Sequence, residues 1–204
     1  MNNASDDEIH QIVQRVLNQY LGLKPSASAA SAAPAVPPLP SPISKNETQP
    51  IPSGKKIVAI GADHGGFELK EILKAELASL GYEAVDIGTH SKDSVDYPDF
   101  AHEVAKKVSA GQAWRGIAID GAGIGSCIVA NKVPGVRAGM AYDYSSAVNS
   151  REHNDTNVLT LGAGLIGVNL AKQIVTVWLA TPFGGGRHAK RVDKIIAVEK
   201  QYLK

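Results

Sequence analysis

Between Gly116 and Lys132 the chain reads Gly-Ile-Ala-Ile-Asp-Gly-Ala-Gly-Ile-Gly-Ser-Cys-Ile-Val-Ala-Asn-Lys: an apolar run, a carboxylate, glycines at alternate positions and a second apolar run. Few folds accept that succession. Ile117, Ala118 and Ile119 have the unbroken hydrophobicity of a strand buried on both faces, which predicts a parallel sheet covered by helices. Asp120 follows at the strand's carboxyl end, where open α/β sheets collect their ligand chemistry. Gly121, Gly123 and Gly125, with Ala122 between the first two, let main-chain N–H groups approach a ligand closely. A helix beginning near Ser126 points its positive end at the same place. Taken alone the loop fits two readings equally: an anion or oxyanion site beside a carboxylate, or a tight strand-to-helix turn that Asp120 caps.

The surrounding chain repeats the same alternation. Apolar runs predict strands over 56–60, 82–87, 136–140 and 157–161, besides the one ending at Asp120. Helical spacing of apolar residues predicts helices over 67–80, from Pro98 to about Val108, and over 144–151, 168–179 and 189–202. Strands alternating with helices through right-handed crossovers imply a doubly wound α/β fold with a five-stranded parallel sheet. In the common order 2-1-3-4-5 the first and third strands are neighbours at the switch point, so the Asp63-His64 turn after the first strand faces Asp120. Asp63 taken alone reads as a helix cap and His64 as a solvated loop residue. Asp120 opposite them favours function.

Two further clusters attract attention. His153-Asn154-Asp155-Thr156-Asn157 stands between a helix and the fifth strand, where a lone histidine ordinarily serves the helix C-terminus. Arg187 and Arg191 are one helical turn apart after Gly184, Gly185 and Gly186, a fork suited to a phosphate. Lys190 and Lys194 read as solvated face, and Cys127 as a small buried residue with no base placed beside it. A net charge of +1 supplies no field for nucleic acid or an anionic membrane surface. One cysteine excludes an internal disulfide, and the six histidines lack zinc-ligand spacing, so no metal is expected. No apolar run is long enough to span a bilayer and the start of the chain lacks a secretory pattern, which predicts a soluble cytoplasmic protein.

Residues 1–24 form a separate object. Ser5 and Glu8 make a capping box, and Ile9, Ile12, Val13, Val16, Leu17, Tyr20 and Leu21 recur at steps of three and four until Gly22. Residues 25–54 are mostly Ala, Ser and Pro, which predicts a disordered tether to a domain over 55–204. An amphipathic helix on a tether is suited to docking, either elsewhere or back onto its own domain or a sister subunit. Asp6, Asp7 and Glu8 argue against a mitochondrial presequence. The arrangement resembles encapsulation peptides of bacterial microcompartments, which implies a shell protein as partner for residues 5–22 and a location inside such a compartment.

The motifs Gly61-Ala-Asp-His-Gly-Gly-Phe, Asp96-Tyr-Pro, Gly121-Ala-Gly-Ile-Gly, Ala130-Asn-Lys, His153-Asn-Asp-Thr-Asn and Gly186-Arg-His with Arg191 stand in one order across 55–204. In that order they resemble the ribose-5-phosphate isomerase B family, which includes galactose-6-phosphate isomerase. The resemblance implies a Rossmann-like fold and a cofactor-free aldose–ketose isomerase of a phosphorylated sugar, dimeric or tetrameric, with active sites shared between subunits. By position, Asp63 and His64 bind substrate, Tyr97 lines the pocket, and His153 with Asn154 assists ring opening. The N–H groups from Gly121 to Gly125 steady an enediolate, and Arg187 and Arg191 hold the phosphate.

Three positions depart from that pattern. Asp120 stands where enteric members carry a cysteine base, Ser126 where another branch carries a glutamate, and Gly164 where many members carry a phosphate-binding arginine. Asp120 is then the one obvious base left, and a carboxylate in that role needs burial to raise its basicity. Gly164 points to a substrate differing in phosphate position or size, and the replaced base position together with Gly164 leaves room for a subunit that binds sugar phosphate without turning it over. A dinucleotide site is disfavoured, because the glycine loop follows the third strand and lacks the acidic partner such a site needs.

Overall fold

The computed structural model describes residues 56–202. The expected docking helix (1–24) and tether (25–54) lie outside the described residues. Five strands, β1 (Ile57–Ala62), β2 (Glu83–Gly88), β3 (Arg115–Asp120), β4 (Ala138–Met140) and β5 (Val158–Gly162), alternate with helices. These are α1 (Phe67–Ser79), α2 (Tyr97–Ser109), α3 (Ile124–Ala130), α4 (Tyr144–Glu152), α5 (Val168–Ala180) and α6 (Gly186–Tyr202). All strand pairs are parallel. Apolar residues alternate between two cores. Ile60, Ile117, Ile119, Leu159 and Leu161 meet Leu73 and Leu77 of α1 and Ile174 and Trp178 of α5 on one face. Ala59 and Val158 meet Val104, Ala105 and Val108 of α2 on the other.

The order is β2-β1-β3-β5-β4, which corrects the expected 2-1-3-4-5. The physical reason is relative hydrophobicity. Val-Leu-Thr-Leu-Gly of β5 is buried throughout and takes the central place, whereas the three residues of β4 are only half-buried and form an edge. Asn131 blunts that edge. Its Nδ2 donates to the Ala138 carbonyl (3.0 Å) and its Oδ1 accepts from the Ala138 N–H (2.9 Å), as a neighbouring strand would.

Two boundaries differ from expectation in ways that matter to the site. α3 starts at Ile124 rather than near Ser126, because Gly123 at φ +79° turns the chain into the helix at once. α6 starts at Gly186 rather than Ala189, which puts Arg187 inside its first turn. Among the described residues no helix is long and apolar enough to cross a membrane, and no cluster of three ligating side chains could hold a metal.

Candidate active site

The carboxyl edge of the sheet gathers the first group of expected residues. β1 and β3 pair directly, and the turns after them touch: a Cβ placed on Gly65 would lie 3.3 Å from Asp63 Oδ1 and 3.7 Å from the Gly121 nitrogen. Asp63 is buried (7% exposed); its Oδ1 accepts from the Gly66 N–H at 3.0 Å, and its Oδ2 has no hydrogen-bond partner among the described residues. His64 is tied through Nδ1 to the main chain of Val95, at 3.2 Å from its nitrogen and 3.1 Å from its oxygen, which leaves Nε2 free. The same segment delivers Tyr97. Its ring lies on Gly125, where an added Cβ would come within 2.4 Å of it, so a glycine there lets α3 and the phenol meet. Gly164 joins from the turn after β5, its N–H donating to the Gly121 carbonyl at 2.9 Å, and a side chain there would crowd that carbonyl at 3.0 Å.

Asp120 sits in the middle of this group with its oxygens occupied. Oδ1 accepts from the N–H of Ala122 (2.7 Å) and of Gly123, and Oδ2 from the Ser126 N–H (3.0 Å) and hydroxyl (2.5 Å). Burial pushes its carboxyl up, but the Ser126 hydroxyl and the three main-chain donors outweigh it and hold the group below the ordinary carboxylate value. The rise in basicity that a base role asks of Asp120 is therefore not supplied by burial: four donors stabilise the charged form more than desolvation penalises it. The same bonds revise the anion hole. Ala122, Gly123 and Ser126 spend their N–H groups on Asp120, whereas those of Gly121, Ile124 and Gly125 have no acceptor among the described residues.

His153, Asn154, Arg187 and Arg191 lie at the opposite edge. His153 is the C-cap of α4, which runs back across the sheet to feed β5 at its amino end. Asp155 pins the turn, accepting from Arg137 and Arg151 at 2.8 Å each. The start of α6 reaches this corner through the Gly184 N–H, which donates to the Glu152 carbonyl (2.9 Å). Arg187 and Arg191 are exposed there. β3 and β5 run side by side with Asp120 opposite Gly162, so the length of β5, about 13 Å at 3.3 Å per residue, separates the two groups. One chain therefore does not bring Asp120 and Asp63 into a common cavity with His153 and Arg187.

Two residues of this corner carried no expected role. The His188 ring stacks on His153 with centroids 4.1 Å apart and planes 6° apart, and Asn149 Nδ2 lies 2.8 Å from His153 Nδ1. Spacing held the signal for Asn149, four residues before His153 on one helix face. His188 is brought in by the turn between α5 and α6, which local spacing does not encode.

The family profile described as Ribose/Galactose Isomerase matches residues 58–195. The chain belongs to this family. Ribose-5-phosphate isomerase B of Escherichia coli is 46% identical over 146 residues, 72% of this chain and 98% of that one. D-erythrulose-4-phosphate isomerase of Pectobacterium atrosepticum is 41% identical over 145 residues, 71% of this chain and 95% of that one. The solved ribose-5-phosphate isomerase B of Clostridium thermocellum superposes with a TM-score of 0.71 at 51% identity, covering 72% of this chain and 99% of that one. As a member of the ribose/galactose isomerases the chain is an aldose–ketose isomerase, and its five-stranded parallel sheet is the Rossmann-like fold expected from the sequence.

Proposed function

We propose that this isomerase interconverts an aldose and a ketose phosphate of the ribose 5-phosphate/ribulose 5-phosphate type, in an active site that two copies of the chain build together. The observation that carries the proposal is the segregation of the site residues. Among the described residues the carboxyl edge holds carboxylates and main-chain donors with no exposed guanidinium, and the amino edge holds an imidazole and two exposed guanidinium groups. Proton abstraction from a sugar phosphate needs a base, an oxyanion hole and an anchor for the distal phosphate, so each edge has what the other lacks. Exposed apolar residues of α3 (Ile124, Ile128) and α6 (Ile195, Val198, Tyr202) support self-association.

In this mechanism the sugar ring opens first. The anomeric hydroxyl proton passes through water to the ring oxygen as the C1–O4 bond breaks, with His153 donating a hydrogen bond to that oxygen and Asn154 beside it. A carboxylate then removes the C2 proton, giving a cis-enediolate whose oxygen meets the free N–H groups of the glycine loop. Returning the proton at C1, with O1 and O2 exchanging one between them, completes the isomerisation without a cofactor. Asp63, His64 and Tyr97 flank the sugar, and Arg187 and Arg191 hold the phosphate. Asp120 is the base by position. A second reading is favoured by its four hydrogen bonds: Asp120 clamps the loop, and Asp63, with a free Oδ2, takes the proton.

The names of the relatives suggest a panel of four- to six-carbon sugar phosphates, on which the chain is expected to prefer a pentose 5-phosphate and to incorporate one solvent deuterium per turnover in D2O. Arg187→Ala should raise KM by about tenfold or more, the loss of one charge-assisted phosphate contact, with a smaller effect on kcat. Tight binding of every panel sugar with no turnover would leave a sugar-phosphate-binding subunit in place of an enzyme.

The amphipathic segment 5–22 we assign to docking on a microcompartment shell protein. Deleting residues 1–24 should leave kcat/KM unchanged and abolish co-sedimentation with shell. A fall in turnover would instead mean that the segment serves the catalytic domain.

A further inference from the structure

We infer that Asn149 and His188 are positioning residues that fix His153 as the tautomer carrying its proton on Nε2, so that an N–H and not a lone pair faces the sugar's ring oxygen. The inference rests on the reading that His153 assists ring opening.

A chain of hydrogen bonds determines the tautomer, each link fixing the next. Asn154 Nδ2 lies 3.4 Å from the Asn149 main-chain carbonyl, a group that only accepts, so the end of the Asn154 amide presented there is its NH2. That same NH2 is 3.5 Å from the Asn149 side-chain oxygen. Asn149 therefore turns its oxygen toward Asn154 and its own NH2 toward His153, 2.8 Å from Nδ1. An amide NH2 only donates, so Nδ1 offers its lone pair, and in the neutral ring the proton is on Nε2. The backbone reinforces the geometry, because the His153 N–H donates to the Asn149 carbonyl at 3.0 Å and closes the last turn of α4.

His188 supplies the second constraint. Asn149 fixes which nitrogen faces it, and the parallel ring 4.1 Å away fixes the plane in which the imidazole lies. His188 is itself buried, at 8% exposed, and its Nε2 accepts from Arg187 Nε at 3.5 Å, so the arginine that grips the phosphate and the histidine that meets the ring oxygen are joined through one side chain. Desolvation, then the neighbouring His153, Arg187 and Arg191, hold His188 below the usual histidine value, which suits a ring stacked on another imidazole. A hydrogen-bond donor with its direction set in advance stabilises charge developing on the ring oxygen without reorganising during the reaction.

The test separates ring opening from proton transfer. Ribulose 5-phosphate cannot close a five-membered ring, because its O5 carries the phosphate, so exchange of its C1 hydrogen with D2O reports enolisation alone. Consumption of ribose 5-phosphate requires ring opening as well. Asn149→Asp offers Nδ1 an acceptor and reverses the tautomer. It is expected to slow ribose 5-phosphate consumption by about 10- to 100-fold and to change deuterium exchange into ribulose 5-phosphate by less than about twofold. His188→Ala should lower consumption in the same selective way, and His188→Phe, which keeps a stacked ring, should restore it. In parallel, 15N spectra of the wild-type imidazoles should show His153 protonated at Nε2 and Asn149→Asp protonated at Nδ1. An Nδ1-protonated wild type, or equal losses of exchange and consumption in Asn149→Asp, overturns the inference. Spectra as expected in a wild type that turns over no sugar would sink the isomerase reading and leave the tautomer assignment standing.

Discussion

Asp120→Asn and His153→Ala, each expected to be inactive alone, should regain roughly a quarter of wild-type turnover when unfolded and refolded together, because random pairing makes about half of the dimers mixed. In a mixed dimer of the proposed kind, one site receives both defects and the other receives neither. The expectation follows from connectivity. A parallel sheet crossed right-handedly places every strand-to-helix turn at one edge and every helix-to-strand turn at the other. Asp120 belongs to a turn of the first kind and His153 to one of the second, with the length of β5 between them. A site confined to a single chain predicts the opposite result, since every site in a mixed dimer would then carry one defect. Turnover in the refolded mixture, read against each variant refolded alone, therefore decides whether the site is shared.

The same reasoning shows what the sequence could reveal. Ile117 to Ile119 and the glycines after Asp120 are local signals of a buried strand and a tight turn, and they placed Asp63 opposite the glycine loop because that pairing needs only β1 beside β3. The exchange of β4 and β5 was less legible. It depends on a comparison between Ala-Gly-Met and Val-Leu-Thr-Leu-Gly, and on the Asn131 side chain acting as a surrogate edge partner. The split between His153 and Asp120 was open to inspection in the alternation of elements, since a residue just before a strand cannot share an edge with one just after its parallel neighbour. The protonation of Asp120 was not. Its direction turns on the number of donors that close around the carboxylate when Gly123 adopts its left-handed conformation, and only the folded loop supplies that number.

Replacing Asp120 should have the largest effect of any single change, and the choice of replacement determines what is learned. Asn offers one acceptor oxygen to a loop that presents four donors, so Asp120→Asn should lower kcat by about 100-fold or more, whether the carboxylate is the base or the clamp. Asp120→Cys distinguishes the two. A carboxylate held below its usual value stays ionised from neutral pH down to the bottom of the carboxylate range, so if Asp120 is the base the wild-type acid limb lies below about pH 4. A cysteine base is protonated until the pH approaches its own value of about 8.5, lowered by the adjacent helix start, so the acid limb of Asp120→Cys should move up by several pH units while turnover on its plateau persists. A thiolate cannot satisfy four donors, so a clamp role predicts low activity at every pH and no moving limb. Asp63→Asn completes the assignment. With Asp120 as base it should act mainly on KM, through a lost contact to the sugar. If kcat instead falls by about 100-fold and Asp120→Cys shows no shifted limb, the proton goes to the free Oδ2 of Asp63.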